Sequence, residues 1–206
     1  MEHLSILILA AGNSSRMGGK LKQLLPWRET TLLGHAIQEA KKVSERVTVV
    51  LGAHADTIQE HIPAGVDTIV NPHWGKGMGS SISFGTKHLI DKKPTNAAIL
   101  IMLGDQPFLE AVHLRALLNR FNSGTYKIVG TSYGDRLGVP AIFEGSLAGE
   151  LSLLDRDHGA RHIIERHSNM AMGVVPIGKE MDLDTLEAYD RALELDRGFP
   201  EGEDRS

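Results

Sequence analysis

Apolar and polar positions along the chain alternate between two rhythms. Short, nearly continuous apolar runs at 4–9, 47–51, 68–70, 97–103, 127–131 and 172–176 read as strands. Between and after them, segments 32–43, 57–62, 78–90, 110–121, 160–165 and 184–195 carry apolar residues at helical spacing. Regular strand–helix alternation predicts right-handed βαβ units and an α/β fold around a mostly parallel sheet. The run at 97–103 is apolar throughout, as expected of a central strand covered on both faces. Residues 132–170 are less regular and are expected to form a subdomain over the sheet. Asp184 and Thr185 are good N-cap types for the last helix, with Glu187 in its first turn.

Composition narrows this picture. A chain of 206 residues suffices for one domain with a sizeable core, and 41% hydrophobic with 23% charged residues is ordinary for a globular protein. The expected domain spans 1–196, with a charged tail at 197–206 that frays. A formal net charge of −4 argues against a nucleic-acid surface. No cysteine is present, which removes disulfides, thiolate metal sites and cysteine nucleophiles. The first apolar run is too short to span a bilayer and lacks a basic segment before it, so the expectation is a soluble, cytoplasmic protein with no membrane partner.

Candidate chemistry concentrates where strands end. After 4–9 comes Leu9-Ala10-Ala11-Gly12-Asn13-Ser14-Ser15-Arg16-Met17-Gly18, then Lys20 and Lys22. Small residues let backbone N–H groups approach phosphate, and Arg16 and Lys22 complement its charge. The spacing is neither a P-loop nor a dinucleotide fingerprint, so a plain strand-to-helix turn is an equal alternative. Asp105 ends the 97–103 run in Gly104-Asp105-Gln106-Pro107. A carboxylate there suits Mg²⁺, which takes one or two protein carboxylates plus phosphate and water; the alternative is a turn acid. A second glycine-rich loop, Asn71-Pro72-His73-Trp74-Gly75-Lys76-Gly77-Met78-Gly79-Ser80-Ser81, precedes a helix and suits a base or sugar. Trp74 either stacks on a ligand or seals the loop. Arg161 is suited to an anionic second substrate, and equally to a solvated helix start. Asp184 stands as a metal ligand or a cap. His158 and His162 are four residues apart but lack a third zinc ligand, so surface roles are the expectation.

Together these stretches resemble one family. Residues 9–18, Lys22-Gln23-Leu24-Leu25-Pro26, the Asn71–Ser81 loop, Gly104–Pro107, Gly138-Val139-Pro140-Ala141, Gly159-Ala160-Arg161 and Asp182-x-Asp184-Thr185 look like the MobA-like nucleotidyltransferases. Within that family they resemble the molybdenum cofactor cytidylyltransferase branch, which serves xanthine dehydrogenase and carbon monoxide dehydrogenase and includes the purine catabolism protein of bacilli. The likeness covers nearly the whole chain except its tail. It implies a Rossmann-like three-layer sandwich of the nucleotide-diphospho-sugar transferase type. It also implies transfer of CMP from CTP to molybdopterin with release of pyrophosphate, and a molybdenum hydroxylase as recipient. Leu9, Ala10, Ala11, Gly12, Gly79, Ser80 and Ser81 would then bind nucleotide, Arg16, Lys22 and Asp105 would be catalytic, Asp105 and Asp184 would hold Mg²⁺, and Arg161 would receive the acceptor. Ala11 stands where guanylyltransferase relatives carry glycine, and on this resemblance its methyl would narrow the pocket against a purine. Two departures are visible. The lysine lies one residue further from Gly18 than usual, leaving Lys20 as an alternative to Lys22, and Val139 replaces a frequent histidine.

Overall fold

The strand that opens the chain is apolar on both faces because it lies in mid-sheet. The structure, a computed structural model, describes residues 4–92, 98–155, 159–176 and 183–197. β1 (Leu4–Ala10) leads through a two-strand hairpin, β2 (Pro26–Trp27) and β3 (Thr30–Thr31), into α1 (Leu32–Lys41). There follow β4 (Val47–Leu51), α2 (Ala55–Gln59), β5 (Asp67–Val70), α3 (Met78–Lys92), β6 (Ala98–Leu103) and α4 (Ala111–Phe121). The last part holds β7 (Ile128–Tyr133), β8 (Arg136–Glu144), α5 (Ala148–Ser152), α6 (Ala160–Arg166), β9 (Ala171–Val174) and α7 (Leu186–Arg197). None of the described helices is long and apolar enough to cross a membrane.

The main sheet has seven strands in the order β5-β4-β1-β6-β8-β7-β9, and β8 alone runs antiparallel to its neighbours. The α/β fold with a mostly parallel central sheet is therefore as the chain pattern predicts. Alternate side chains of each strand feed separate cores. Leu4, Ile6, Ile8, Val49 and Leu100 pack with α1, α2 and α4 through Leu33, Ile37, Ile58 and Leu114. Leu7, Leu9, Val50, Ile99 and Ile101 pack with α3, α5 and α6 through Ile82, Leu151 and Ile163. This period-two division produces the three layers. A third, smaller core joins Met17, Leu25 and Trp27 to Leu183, Tyr189 and Ala192, so α7 docks on the hairpin.

Residues 132–170 are not a subdomain over the sheet. They complete β7, supply β8 as an inserted strand between β6 and β7, and add α5 and α6 to one face. Gly138 and Pro140 mask the strand pattern, because proline cannot donate to a ladder. The ladder accommodates it: Gly130 pairs with Ala141 and Thr131 with Gly138, so Val139 and Pro140 are skipped at an irregularity. α2 begins two residues before the expected segment, after His54 in a left-handed conformation.

One buried group gives the fold a pH dependence. His113 on α4 is fully buried, and its Nε2 lies 2.8 Å from Thr131 Oγ1, whose own proton goes to the Pro140 carbonyl. Burial pushes this imidazole down from 6.5 to about 4. The unfolded chain therefore binds a proton in a range where the folded chain does not. Stability from this site is complete above about pH 6.5 and is lost as pH falls toward 4, by about 3 kcal/mol at most. His113→Gln is expected to flatten stability against pH over that window. Urea midpoints at pH 7, 5.5 and 4.5 check this, and parallel profiles for the two proteins would remove His113 as the cause.

Candidate active site

In open α/β sheets, ligands sit beyond the carboxyl ends of strands where the strand order reverses. Here that switch point lies between β1 and β6, since the chain builds outward from β1 to β4 and β5 and returns to β6 on its other side. The two exits are locked together, with Gly104 N–H donating to Leu9 O at 3.1 Å. They open onto a cleft of about 450 Å³ lined by Leu9–Asn13, Arg16, Lys22, Gln23, Leu103–Asp105 and Asp184, with Trp74, Gly75, Gly77, Met78 and Ser81 as the facing wall.

The β1 turn owes its shape to a buried amide that the sequence reading gave no role. Gln23 is 3% exposed and donates through Nε2 to Ala10 O (3.2 Å) and Gly12 O (2.9 Å). Its Oε1 accepts from Ser14 Oγ, which in turn accepts from the Lys22 backbone N–H. Met17, fully buried in the third core, pins the far end of the loop. The only sequence signal for Gln23 was its place beside Lys22 in the family motif. Gln23→Ala strands these carbonyls and is expected to raise the nucleotide KM about tenfold with a smaller change in kcat, a loss of roughly 1.4 kcal/mol. Steady-state kinetics check this, and an unchanged KM would leave the loop independent of Gln23.

Four charged side chains converge opposite that turn. Lys22 Nζ bonds Asp105 Oδ2 and lies 3.2 Å from Asp184 Oδ1, while Arg16 reaches Asp184 Oδ2 at 2.7 Å. Lys22 and not Lys20 therefore occupies the cleft; Lys20 is exposed outside it. Asp184 arrives from a distant part of the chain. Leu183 is fully buried and its N–H meets Asp105 O at 3.4 Å, and Thr185 caps α7 through Ala188 N–H. Tyr189 Oη donates to Pro26 O, and Arg28 holds Asp196, so the helix is tied down along its length. Burial opposes the charge on Lys22, but the two carboxylates outweigh it and raise its pKa. Burial likewise opposes ionisation of Asp184, but Lys22 and Arg16 outweigh it and hold the carboxyl below the ordinary range.

The facing wall has its own brace. Asn71, nearly fully buried, donates to Ser80 Oγ and Ser81 Oγ and accepts from His73 N–H. Gly52 lets the loop close over it: a Cβ there would lie 2.4 Å from Trp74 Cβ and 2.7 Å from Ala11 O. Trp74 thus packs on the β4 exit and also lines the cleft. The expected nucleotide residues divide. Leu9, Ala10, Ala11, Gly12 and Ser81 line the cleft, Gly79 is buried within α3, and Ser80 turns to Asn71 and the His73 carbonyl. Arg161 lies outside the cleft on α6, paired with Glu165 at 2.6 Å. His162 and His167 contact Arg166 and Glu150. Asp182 and His158 lie outside the described residues.

Two carboxylates sharing one cation thus lie beside a glycine-containing turn at the switch point of an α/β sheet, the place where such folds bind ligands. The chain belongs to the MobA-like NTP transferase family, whose domain matches residues 6–170. It is similar to the nicotine blue oxidoreductase of Paenarthrobacter nicotinovorans, 30% identical over 200 residues that cover 91% of this chain and 95% of that protein. It is also similar to the bifunctional protein GlmU of Pseudomonas fluorescens, 27% identical over 81% of this chain, and spans only 37% of that relative's length. Among solved structures, the Rv0371c homologue of Mycobacterium sp. strain JC1 has a TM-score of 0.80 at 30% identity, covering 93% of this chain and 96% of that one. Rv0371c of Mycobacterium tuberculosis, solved in complex with manganese, has a TM-score of 0.74 at 28% identity, covering 93% and 98%.

Proposed function

We propose that this cleft transfers CMP from CTP to molybdopterin, releasing pyrophosphate and supplying a molybdenum hydroxylase such as xanthine dehydrogenase. The observation that carries the reading is the meeting of Lys22, Asp105 and Asp184 beside the Ala10–Gly12 turn. The choice of CTP and of molybdopterin is supported by the family motifs, with Ala11 as the discriminating letter, and not by the charge cluster itself. A fold alone does not fix chemistry, as the oxidoreductase among the relatives illustrates.

In this reading, a terminal phosphate oxygen of the acceptor attacks the α-phosphorus of CTP. A new P–O bond forms as the bond to pyrophosphate breaks. The protein's part is positioning and charge stabilisation. Arg16 and Lys22 neutralise the leaving pyrophosphate. Leu9–Gly12 seat the nucleotide against Trp74 and Ser81. A divalent cation fits the acid pair: both carboxylates reach a single ammonium, and an all-oxygen donor set suits Mg²⁺. Held by Asp105 and Asp184, it would supply charge neutralisation of phosphate oxygens.

Pyrophosphate release tests the reading, with each nucleoside triphosphate, with molybdopterin or a sugar phosphate, and with or without Mg²⁺. The expected result is release that requires CTP, molybdopterin and Mg²⁺ together, and an Ala11→Gly variant that accepts GTP more readily. Equal turnover with a sugar phosphate would transfer the assignment to another acceptor. Tight cofactor binding with no pyrophosphate release would make the protein a carrier.

A further inference from the structure

The seat that suits a metal already holds a cation of the protein's own. Lys22 Nζ lies between Asp105 and Asp184, and its side chain is 18% exposed. Asp184 is further neutralised by Arg16, whose side chain is 68% exposed. The Lys22 backbone is fixed: its N–H is held by Ser14, and the next residue, Gln23, is locked into the β1 turn. The movable part is therefore the flexible four-carbon stem.

A divalent ion entering alone must displace an ammonium that two carboxylates hold. It would leave that ammonium beside a double positive charge in a partly buried cleft, where screening is weak. A triphosphate entering with the ion changes the balance. It brings anionic oxygens that take over Lys22 and Arg16, so both carboxylates are released without stranding a charge.

We propose that Lys22 is a built-in competitor for the metal seat. It covers Asp105 and Asp184 until nucleotide draws it away, so metal and nucleotide each bind weakly alone and tightly together. The inference rests on the proposed nucleotidyl transfer at this cleft. It gives Lys22 a second role besides neutralising pyrophosphate, and it predicts reciprocal coupling between the two ligands. Metal would then be committed to the seat only when there is a triphosphate to activate.

The test is Mn²⁺ binding to the full chain, followed by loss of the free-ion electron paramagnetic resonance signal, with and without α,β-methylene-CTP. In the wild type, the analogue is expected to tighten Mn²⁺ binding by about tenfold or more. Lys22→Met is expected to bind Mn²⁺ alone about tenfold more tightly than wild type and to gain less from the analogue. Lys20→Met removes the same charge outside the cleft and is expected to behave as wild type. Lys22→Gln, polar and uncharged, repeats the comparison if the methionine variant does not fold. Unchanged or weaker Mn²⁺ binding by the Lys22 variants, with normal wild-type binding in the presence of analogue, overturns the competition and leaves nucleotidyl transfer standing. Equal tightening by Lys20→Met overturns it too, as a general effect of charge. No Mn²⁺ binding by the wild type even with the analogue removes both the competition and the reading beneath it.

Discussion

Asp105→Asn is expected to lower kcat/KM for nucleotidyl transfer by roughly a thousandfold while leaving the fold in place, equivalent to about 4 kcal/mol of transition-state stabilisation. The substitution keeps shape and removes charge. Lys22 would lose its partly buried partner, and the cation seat would lose its better-shielded carboxylate, since the side chain of Asp105 is 13% exposed against 40% for Asp184. The backbone carbonyl of Asp105 still accepts from Leu183, so α7 keeps its place. Pyrophosphate release at saturating Mg²⁺, together with a thermal melt, separates the two consequences. A variant that retains more than a tenth of the activity would take Asp105 out of the reaction. Asp184→Asn, more exposed and also bound to Arg16, is expected to be milder.

Phe143→Ala carries the largest expected loss of stability, about 3–5 kcal/mol from lost burial and the cavity left behind. Phe143 is fully buried near the C-terminal end of β8, opposite Ile99 on one side and Ile128 on the other. Its ring belongs to the core shared with Leu147, Leu151, Ile163 and Ile164, contributed by α5 and α6 and the turn before α5. β8 bridges β6 to β7, so weakening it loosens the seam between the half of the sheet that carries the cleft and the rest. For a chain of this size the melting temperature is expected to fall by about 10 °C. A loss below about 1 kcal/mol in urea denaturation would mean that the seam does not depend on the ring.

The chain pattern located the parallel strands because strands buried on both faces are nearly continuous in apolar residues, as 4–9 (broken by Ser5) and 97–103 are. It missed β8, whose Gly138 and Pro140 read as loop. Strand pairing there is rescued by partners distant in sequence, and the irregularity at Gly130 and Thr131 passes over the proline. It missed the β2–β3 hairpin as well, whose strands are too short to show a period.

The candidate site divides along the same line. The small residues after β1 and the acid after β6 were legible, because a parallel sheet places strand exits on one edge and chemistry at such exits uses short side chains and carboxylates. Which lysine serves was not legible: Lys20 and Lys22 are equivalent in composition, and only the loop path fixed by Gln23, Ser14 and Met17 carries Lys22 to Asp105. The proximity of Asp184 to Asp105 depends on α7 docking against Trp27 and Pro26, a contact between segments more than 150 residues apart. Ser80 and Arg161 lie outside the lining of this cleft, with Ser80 bonded to Asn71 and Arg161 in an exposed pair with Glu165, and their residue types alone did not show this. The sequence by itself determined the parallel strands and the kinds of groups available at their ends, because these follow from local hydrophobicity and residue chemistry; strand order, and with it the switch point, belongs to the tertiary structure. Only the tertiary structure decided which charges meet, because that is set by packing among residues whose separation along the chain carries no signal.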